Sequence, residues 1–266
     1  MHRGRSALST YVGSFSERDT ELLEFAANHR LIAREHVQAL LGIGPAGATR
    51  RLRALADGGL IRYEQPFDRG PGWWRITRKG LRAIESELAP PRPDLGAWRH
   101  DLGLAWLHLA ARDGAFGELD EVLPERLIRS RDATRAADRQ YGGRLGVALG
   151  GYGPDGRERI HYPDLLLVAP SGHRIAVELE LSRKSRDRRR SIMLGYARDR
   201  RVDAVLYLVE SPSMARSIRT AAAEFGISPK VHVQYVRTPG ATGAGHGPAR
   251  IRGRGPSARA GGGVQR

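Results

Sequence analysis

Cysteine is absent from the 266 residues, and only three of the 44 basic residues are lysine, the rest being arginine. Without cysteine the chain has no disulfide framework, no thiolate zinc ligand and no thiol nucleophile. It also lacks a run of about 18 apolar residues, the length that a membrane-spanning helix needs, and a signal-peptide core. We therefore expect a cytoplasmic protein that does not bind membranes.

The chain has enough apolar residues to form hydrophobic cores, and it carries a strong excess of positive charge. Hydrophobic residues make up 40% of the chain and charged residues 27%, which excludes a wholly disordered polycation. The net charge of +15 predicts an acidic partner. The excess is local, because residues 183–201 carry nine basic and two acidic side chains and residues 238–266 carry five basic and no acidic ones.

Residues 16–88 have the pattern of three helices, two strands and a last helix. Ser16 begins a helix as an N-cap, and further helices are predicted over 33–41, 48–56 and 78–88. Strands are predicted over 60–65 and 73–77, joined by a loop rich in glycine and proline.

The stretch "ATRRLRALADGGLIRYEQP…WWRITRKGLRAI" resembles the winged helix-turn-helix superfamily. The resemblance implies that the third helix enters the major groove of double-stranded DNA while the wing touches the backbone or minor groove. It assigns DNA contacts to Thr49, Arg50, Arg51 and Arg53 on the helix, and to Arg69 and Arg75 in or beside the wing. A module of this kind used for protein contacts is the alternative.

A proline-rich linker, residues 89–94, is the predicted boundary between this domain and a second one over 95–237. The second domain is predicted to be a mixed α/β layer. Its expected strands cover 119–127, 162–168, 174–181, 204–209 and 231–236, and its helices 95–112, 185–200 and 213–225, with a long loop or irregular hairpin over 130–155. Residues 1–15 and 238–266 are expected to be disordered.

Three carboxylates are predicted to converge in the second domain. Asp164 begins one strand, and Glu178 and Glu180 end the next; alternation along a strand places the two glutamates on one face. Such a cluster needs a cation, and carboxylate oxygens suit Mg²⁺ or Mn²⁺. An alternative is that the two glutamates are exposed and simply pair with nearby arginines such as Arg183, Arg186 or Arg188.

The same residues resemble the PD-(D/E)xK nuclease superfamily, which implies a restriction-endonuclease-like fold and metal-assisted phosphodiester cleavage. Pro163-Asp164 and Glu178-Leu179-Glu180 match its two half-motifs, except that Glu180 stands where the pattern has lysine. The resemblance makes Asp164 and Glu178 metal ligands, with Glu125 as an accessory ligand, and lets Lys184 reach back in place of the missing lysine. The phosphate contacts expected from the following basic helix are Arg186, Arg189 and Arg190.

A winged helix joined to such a domain resembles the actinobacterial replication-relaxation family. The resemblance implies a DNA-binding protein of plasmid or mobile-element replication or mobilisation, with a Mg²⁺-dependent nicking domain. A transcription or replication regulator with an inactive C-terminal scaffold is the second hypothesis, and binding of RNA or an anionic membrane the third. Homodimerisation is left open.

Overall fold

The computed structural model describes residues 16–68, 70–134 and 143–238, together with the backbone of 250–252. Within these ranges the helices are α1 (Glu17–Asn28), α2 (Arg34–Leu41), α3 (Pro45–Asp57), α4 (Arg78–Ala83), α5 (Trp98–Arg112), α6 (Glu125–Ala133), α7 (Arg186–Arg198) and α8 (Pro212–Glu224), with a 3₁₀ turn at Leu95–Ala97. The strands are β1 (Ile61–Glu64), β2 (Trp73–Ile76), β3 (Glu121–Pro124), β4 (Val147–Tyr152), β5 (Glu158–His161), β6 (Leu165–Val168), β7 (Arg174–Glu180), β8 (Ala204–Val209), β9 (Val231–Arg237) and β10 (Arg250–Arg252).

The chain divides into two compact units, residues 1–102 and 103–266, here called the N-terminal and C-terminal units. The division falls within α5, beyond the predicted proline-rich linker. No helix in the described ranges is long and apolar enough to cross a membrane.

Local sequence signals determine the helices of the N-terminal unit. Ser16 caps α1 in a capping box: its hydroxyl accepts the Asp19 N–H, and the Asp19 carboxylate accepts the Ser16 N–H. Gly42, at a φ of 62°, ends α2, and Pro45 begins α3. The order of three helices and a two-stranded sheet is that of a winged helix.

The wing is an antiparallel pair, with Ile61 opposite Ile76 and Glu64 opposite Trp73. The helix that follows is shorter than predicted: α4 ends at Ala83 rather than at residue 88. Glu85 adopts a left-handed φ of 52°, and the Ser86 N–H donates to the Leu81 carbonyl, which is a Schellman ending.

The C-terminal unit is built on a six-stranded mixed sheet in the order β10, β9, β8, β7, β6, β3. β3, β6 and β7 are antiparallel neighbours, whereas β7, β8 and β9 are parallel. Apolar residues of α7 and α8, such as Met193 and Ile218, form a core with Val205 and Tyr207 of β8. The predicted mixed α/β class, with a helical N-terminal region before a sheet domain, is confirmed.

The region before β6 differs in part from expectation. The strand expected over 119–127 ends at Pro124, and α6 begins at the next residue. Of the long loop or irregular hairpin expected over 130–155, the hairpin is present, because β4 pairs with β5 with a shift of register, but its first residues belong to α6. α6 was missed because it buries a single apolar residue, Ile128, so it has almost no apolar stripe. It is fixed instead by Asp132, whose carboxylate accepts the N–H groups of Leu145 and Gly146 at 2.8 and 2.9 Å.

The tail expected to be disordered contains a short strand. β10 pairs with β9 in antiparallel register, with Ile251 opposite Val236. An uncovered β9 would leave a row of unpaired backbone groups at the sheet edge, and β10 satisfies some of them. The other tail residues, from 239 to 249 and from 253 onward, and residues 1–15 lie outside the described ranges.

Candidate functional site

A groove of about 670 Å³ runs along the exposed side of α3 in the N-terminal unit. Ala46, Arg50, Arg53, Ala54 and Asp57 line it at helical spacing, together with Arg34 from the start of α2, Pro45 and Thr49. The opposite side of α3 is fixed in the core by Ala48, Leu52 and Leu55. The same amphipathic pattern therefore buries one face of the helix and presents the arginines on the other.

The predicted helix contacts separate into two classes. Arg50 and Arg53 are exposed and make no hydrogen bond or ion pair to any other described residue. Arg51, by contrast, pairs with Asp19 and donates to the Ser16 hydroxyl at 3.1 Å. Burial opposes ionisation of Asp19, but the donors Ser16 and Arg51 outweigh it and hold its pKa below the ordinary value. Arg51 therefore ties α3 to the start of α1 and does not face the groove.

The structure does not make Arg75 available for a nucleic acid. Its side chain is buried and donates to Glu64 Oε1 at 2.5 Å and to the Pro91 carbonyl at 2.6 Å. A guanidinium held between the wing and the following chain is a structural group. Arg69 lies outside the described residues.

The wing carries an exposed aromatic residue that sequence reasoning did not single out. Tyr63 is 50% exposed and lies against Trp74, with 4.9 Å between ring centroids, whereas Trp73 is buried. A Cβ added at Gly72 would lie 1.9 Å from the Tyr63 hydroxyl, so glycine is needed for the tyrosine to lie across the loop. Arg34, the first residue of α2, also lines the groove and was missed.

The carboxylate cluster of the C-terminal unit lies at the ends of β6 and β7. Leu165 pairs with Val177, so the preceding Asp164 lies beside Glu178. Asp164 Oδ2 accepts the backbone N–H of Leu179 at 2.8 Å. The predicted convergence of the three acids is thus present in the backbone arrangement.

Glu178 is buried and surrounded by donors. Its Oε1 lies 2.5 Å from His161 Nε2 and accepts the Tyr196 hydroxyl at 2.6 Å. Its Oε2 accepts from Lys184 Nζ at 3.4 Å. Lys184, four residues beyond Glu180, thus points back toward the end of β7.

Glu180 lies on the same face of β7 and is also buried. Arg189 of α7 pairs with its Oε1, and Lys184 Nζ lies 3.6 Å from its Oε2. The other terminal nitrogen of Arg189 donates to Ser217 Oγ on α8 at 2.6 Å. Glu180 thus pairs with an arginine, as the alternative interpretation of the sequence expected, but the arginine is Arg189 rather than Arg183, Arg186 or Arg188. Glu178 pairs with His161 and Lys184 instead, and both glutamates are buried rather than exposed.

Comparison with known proteins gives no family for this chain. No family model matches it, and no curated protein is similar to it. Among solved structures, a mutant of Lactococcus lactis ZitR matches with a TM-score of 0.25 and 19% sequence identity, covering 32% of this chain. The match spans 55% of the ZitR chain.

Electrostatics favour the charged forms of Glu178 and Lys184. Burial favours the neutral form of Glu178, but His161 and Lys184 outweigh it and lower the pKa of Glu178. Burial likewise opposes the charge of Lys184, and Glu178 and Asp164 outweigh it and raise the pKa of Lys184. Burial, followed by the negative charge of Glu178, raises the pKa of Tyr196 well above its usual value, so its hydroxyl remains a donor.

In this arrangement the carboxylate oxygens of the cluster do not suit a divalent ion. Both oxygens of Glu178 and the Oε1 of Glu180 already face cations or hydrogen-bond donors of the chain, and Lys184 lies between the two Oε2 atoms. Glu125, the expected accessory ligand, begins α6, and its carboxylate pairs with Arg129 at 2.8 Å. No group of three His, Asp or Glu side chains in the described ranges has a metal-binding arrangement.

The arginines expected to contact phosphate also differ from one another. Arg186 is exposed, with Glu224 at 3.5 Å, and the exposed Arg190 lies 5.9 Å from the ring centre of Phe225. Arg189 is buried and forms an ion pair with Glu180, so it is not available to a phosphate. Its position had a signal in the sequence, because residues 189, 192, 193 and 196 form one buried stripe at helical spacing.

Proposed function

We propose that this protein binds double-stranded DNA through the α3 groove of its N-terminal unit. The observation that supports the proposal is the pair Arg50 and Arg53, exposed on one face of α3 and without a partner among the described residues, in a groove that Arg34 and Thr49 also line. An unpaired guanidinium suits a phosphate or the edge of a guanine, and the hydroxyl of Thr49 adds a short-range contact.

The order of elements favours the same use. In winged-helix proteins the third helix enters the major groove while the wing lies along the backbone or minor groove. Here Tyr63 and its neighbour Arg62 are both exposed on the wing, and Arg62 pairs with Glu64 at 2.8 Å. Arg51 and Arg75 are left out of the proposed interface because their side chains bind other parts of the unit.

For the C-terminal unit we propose a scaffold role, which makes the protein a transcription or replication regulator. The carboxylates of the expected nicking site are neutralised by side chains of the chain itself, so we derive no cleavage step. Exposed arginines of α7, Arg186 and Arg190 among them, would add contacts to phosphate. The role in plasmid or mobile-element replication, and a homodimer, stay predictions.

The experiment is selection of bound duplexes from a random DNA pool by the full chain. We expect a preferred sequence for the wild type and loss of that preference in Arg50→Ala/Arg53→Ala. Arg186→Ala/Arg190→Ala is the matched control, because it removes the same number of arginines from the other unit. It should weaken binding on all sequences alike and leave the preference unchanged.

A wild type that binds random duplex and single-stranded RNA equally well, with no enrichment of any duplex, would overturn the proposal. So would an unchanged preference in Arg50→Ala/Arg53→Ala, provided that its melting temperature matches that of the wild type.

A further inference from the structure

Helix α7 has two faces with opposite roles. The residues at one face, Arg189, Ile192, Met193 and Tyr196, are buried against the sheet. Its other arginines, such as Arg186 and Arg188, are exposed. A helix with so many arginines holds a fixed position only if the buried face supplies contacts strong enough to keep it on the sheet.

Apolar packing of Ile192 and Met193 supplies part of those contacts, and the carboxylates of β7 supply the polar part. Arg189 binds Glu180, and the Tyr196 hydroxyl, one heptad further along α7, donates to Glu178 at 2.6 Å. Close approach of the helix is also needed, since a Cβ at Gly195 would lie 3.0 Å from the Ala148 carbonyl of β4. Each end of the buried stripe is therefore fixed by a separate glutamate.

The charges of the cluster come close to balance without any added ion. Three carboxylates, Asp164, Glu178 and Glu180, face the cations Lys184 and Arg189. The remaining negative charge is stabilised by the hydrogen bonds of Glu178 to His161 and Tyr196. A divalent ion would have to displace Lys184 from between the two glutamates, and Arg189 would still hold Glu180.

We propose that this cluster fixes α7 on the sheet without a metal ion, because Arg189 supplies the positive charge that Glu180 would otherwise need from a bound metal. The exposed arginines of α7 are thereby held as a fixed basic surface. The proposal does not depend on DNA binding by the N-terminal unit, because it concerns contacts within the C-terminal unit alone.

The first experiment compares Arg189→Met with Arg188→Met in the full chain, by thermal unfolding followed by circular dichroism. Both changes remove one arginine of α7, but Arg188 is exposed and its side chain has no partner among the described residues. We expect the transition of the C-terminal unit in Arg189→Met to fall by roughly 6 to 20 °C, because Glu180 is left buried without its partner. Arg188→Met should stay within about 2 °C of the wild type.

The second experiment needs no destabilised variant. Wild-type protein is titrated with Mn²⁺ by calorimetry and melted with Mg²⁺ or with EDTA. We expect no binding heat and the same melting temperature in both solutions. Uptake of Mn²⁺ that Asp164→Asn abolishes, or equal melting temperatures of Arg189→Met and Arg188→Met, would overturn the proposal; an Arg189→Met chain that fails to fold would support it.

Discussion

Adjacent arginines of α3, Arg50 and Arg51, offer a sharp test of how the N-terminal unit divides its charges. Arg50 lines the groove and has no protein partner in the described ranges, whereas Arg51 holds Asp19 and Ser16 at the start of α1. The two alanine variants have the same net charge and lose the same side chain. One variant should nevertheless lose DNA affinity, and the other should lose stability.

For Arg50→Ala we expect weaker DNA binding with unchanged stability. Loss of one good contact to a base edge costs about 1 to 3 kcal/mol, which corresponds to a roughly 5- to 150-fold higher Kd. If Arg50 contacts phosphate instead, the slope of log K against log salt should fall by about 0.9. The free energy of unfolding should change by less than about 0.5 kcal/mol, because an exposed side chain without partners is removed.

For Arg51→Ala we expect lower stability with unchanged DNA binding. The change removes an ion pair and a hydrogen bond to the capping box of α1, which together contribute about 1 to 2 kcal/mol. In a unit of this size the melting temperature should fall by roughly 4 to 8 °C for each kcal/mol. DNA affinity measured well below that temperature should be unchanged.

The assay is fluorescence anisotropy of a labelled duplex over a series of salt concentrations, paired with thermal unfolding of each variant. The reasoning is refuted if Arg51→Ala weakens binding as much as Arg50→Ala while both unfold at the wild-type temperature. That result would mean that the arginine next to α1 leaves its pair to contact DNA.

Two further predictions concern stability. Gly80→Ala should destabilise the N-terminal unit by about 1 to 3 kcal/mol or more in urea unfolding, because the new Cβ would lie 2.1 Å from the Leu60 carbonyl. Gly47→Ala, within α3, is the control, because its new Cβ would lie 3.7 Å from the Ile43 side chain; equal costs would contradict the packing. Burial, with a smaller effect of Arg112, lowers the pKa of His108 to about 4, so the unfolded state binds the proton first as pH falls. The free energy of unfolding should therefore drop by up to about 3 kcal/mol between pH 6.5 and pH 4. If the His108→Gln variant shows the same drop, the loss of stability comes from other titrating groups.

Much of the fold followed from local patterns. The capping box at Ser16 and Asp19 placed the start of α1, and the run at 204–209 was predicted with the bounds that β8 has. Alternation along β7 was enough to place Glu178 and Glu180 on one face, since side chains of a strand alternate wherever the strand lies. The helix α6 and the strand β10 escaped prediction because polar contacts and a free sheet edge, rather than apolar periodicity, hold them.

The sequence by itself determined the class of fold and placed Glu178 and Glu180 on one face of their strand. Only the tertiary structure decided which charges are available to a ligand. Arg50 and Arg51 are neighbours in sequence, as are Arg189 and Arg190, yet one of each pair is bound within the protein and the other is exposed. A long arginine side chain takes its partner from whatever lies nearby in space, and Asp19 and Glu180 come near only after the helices pack.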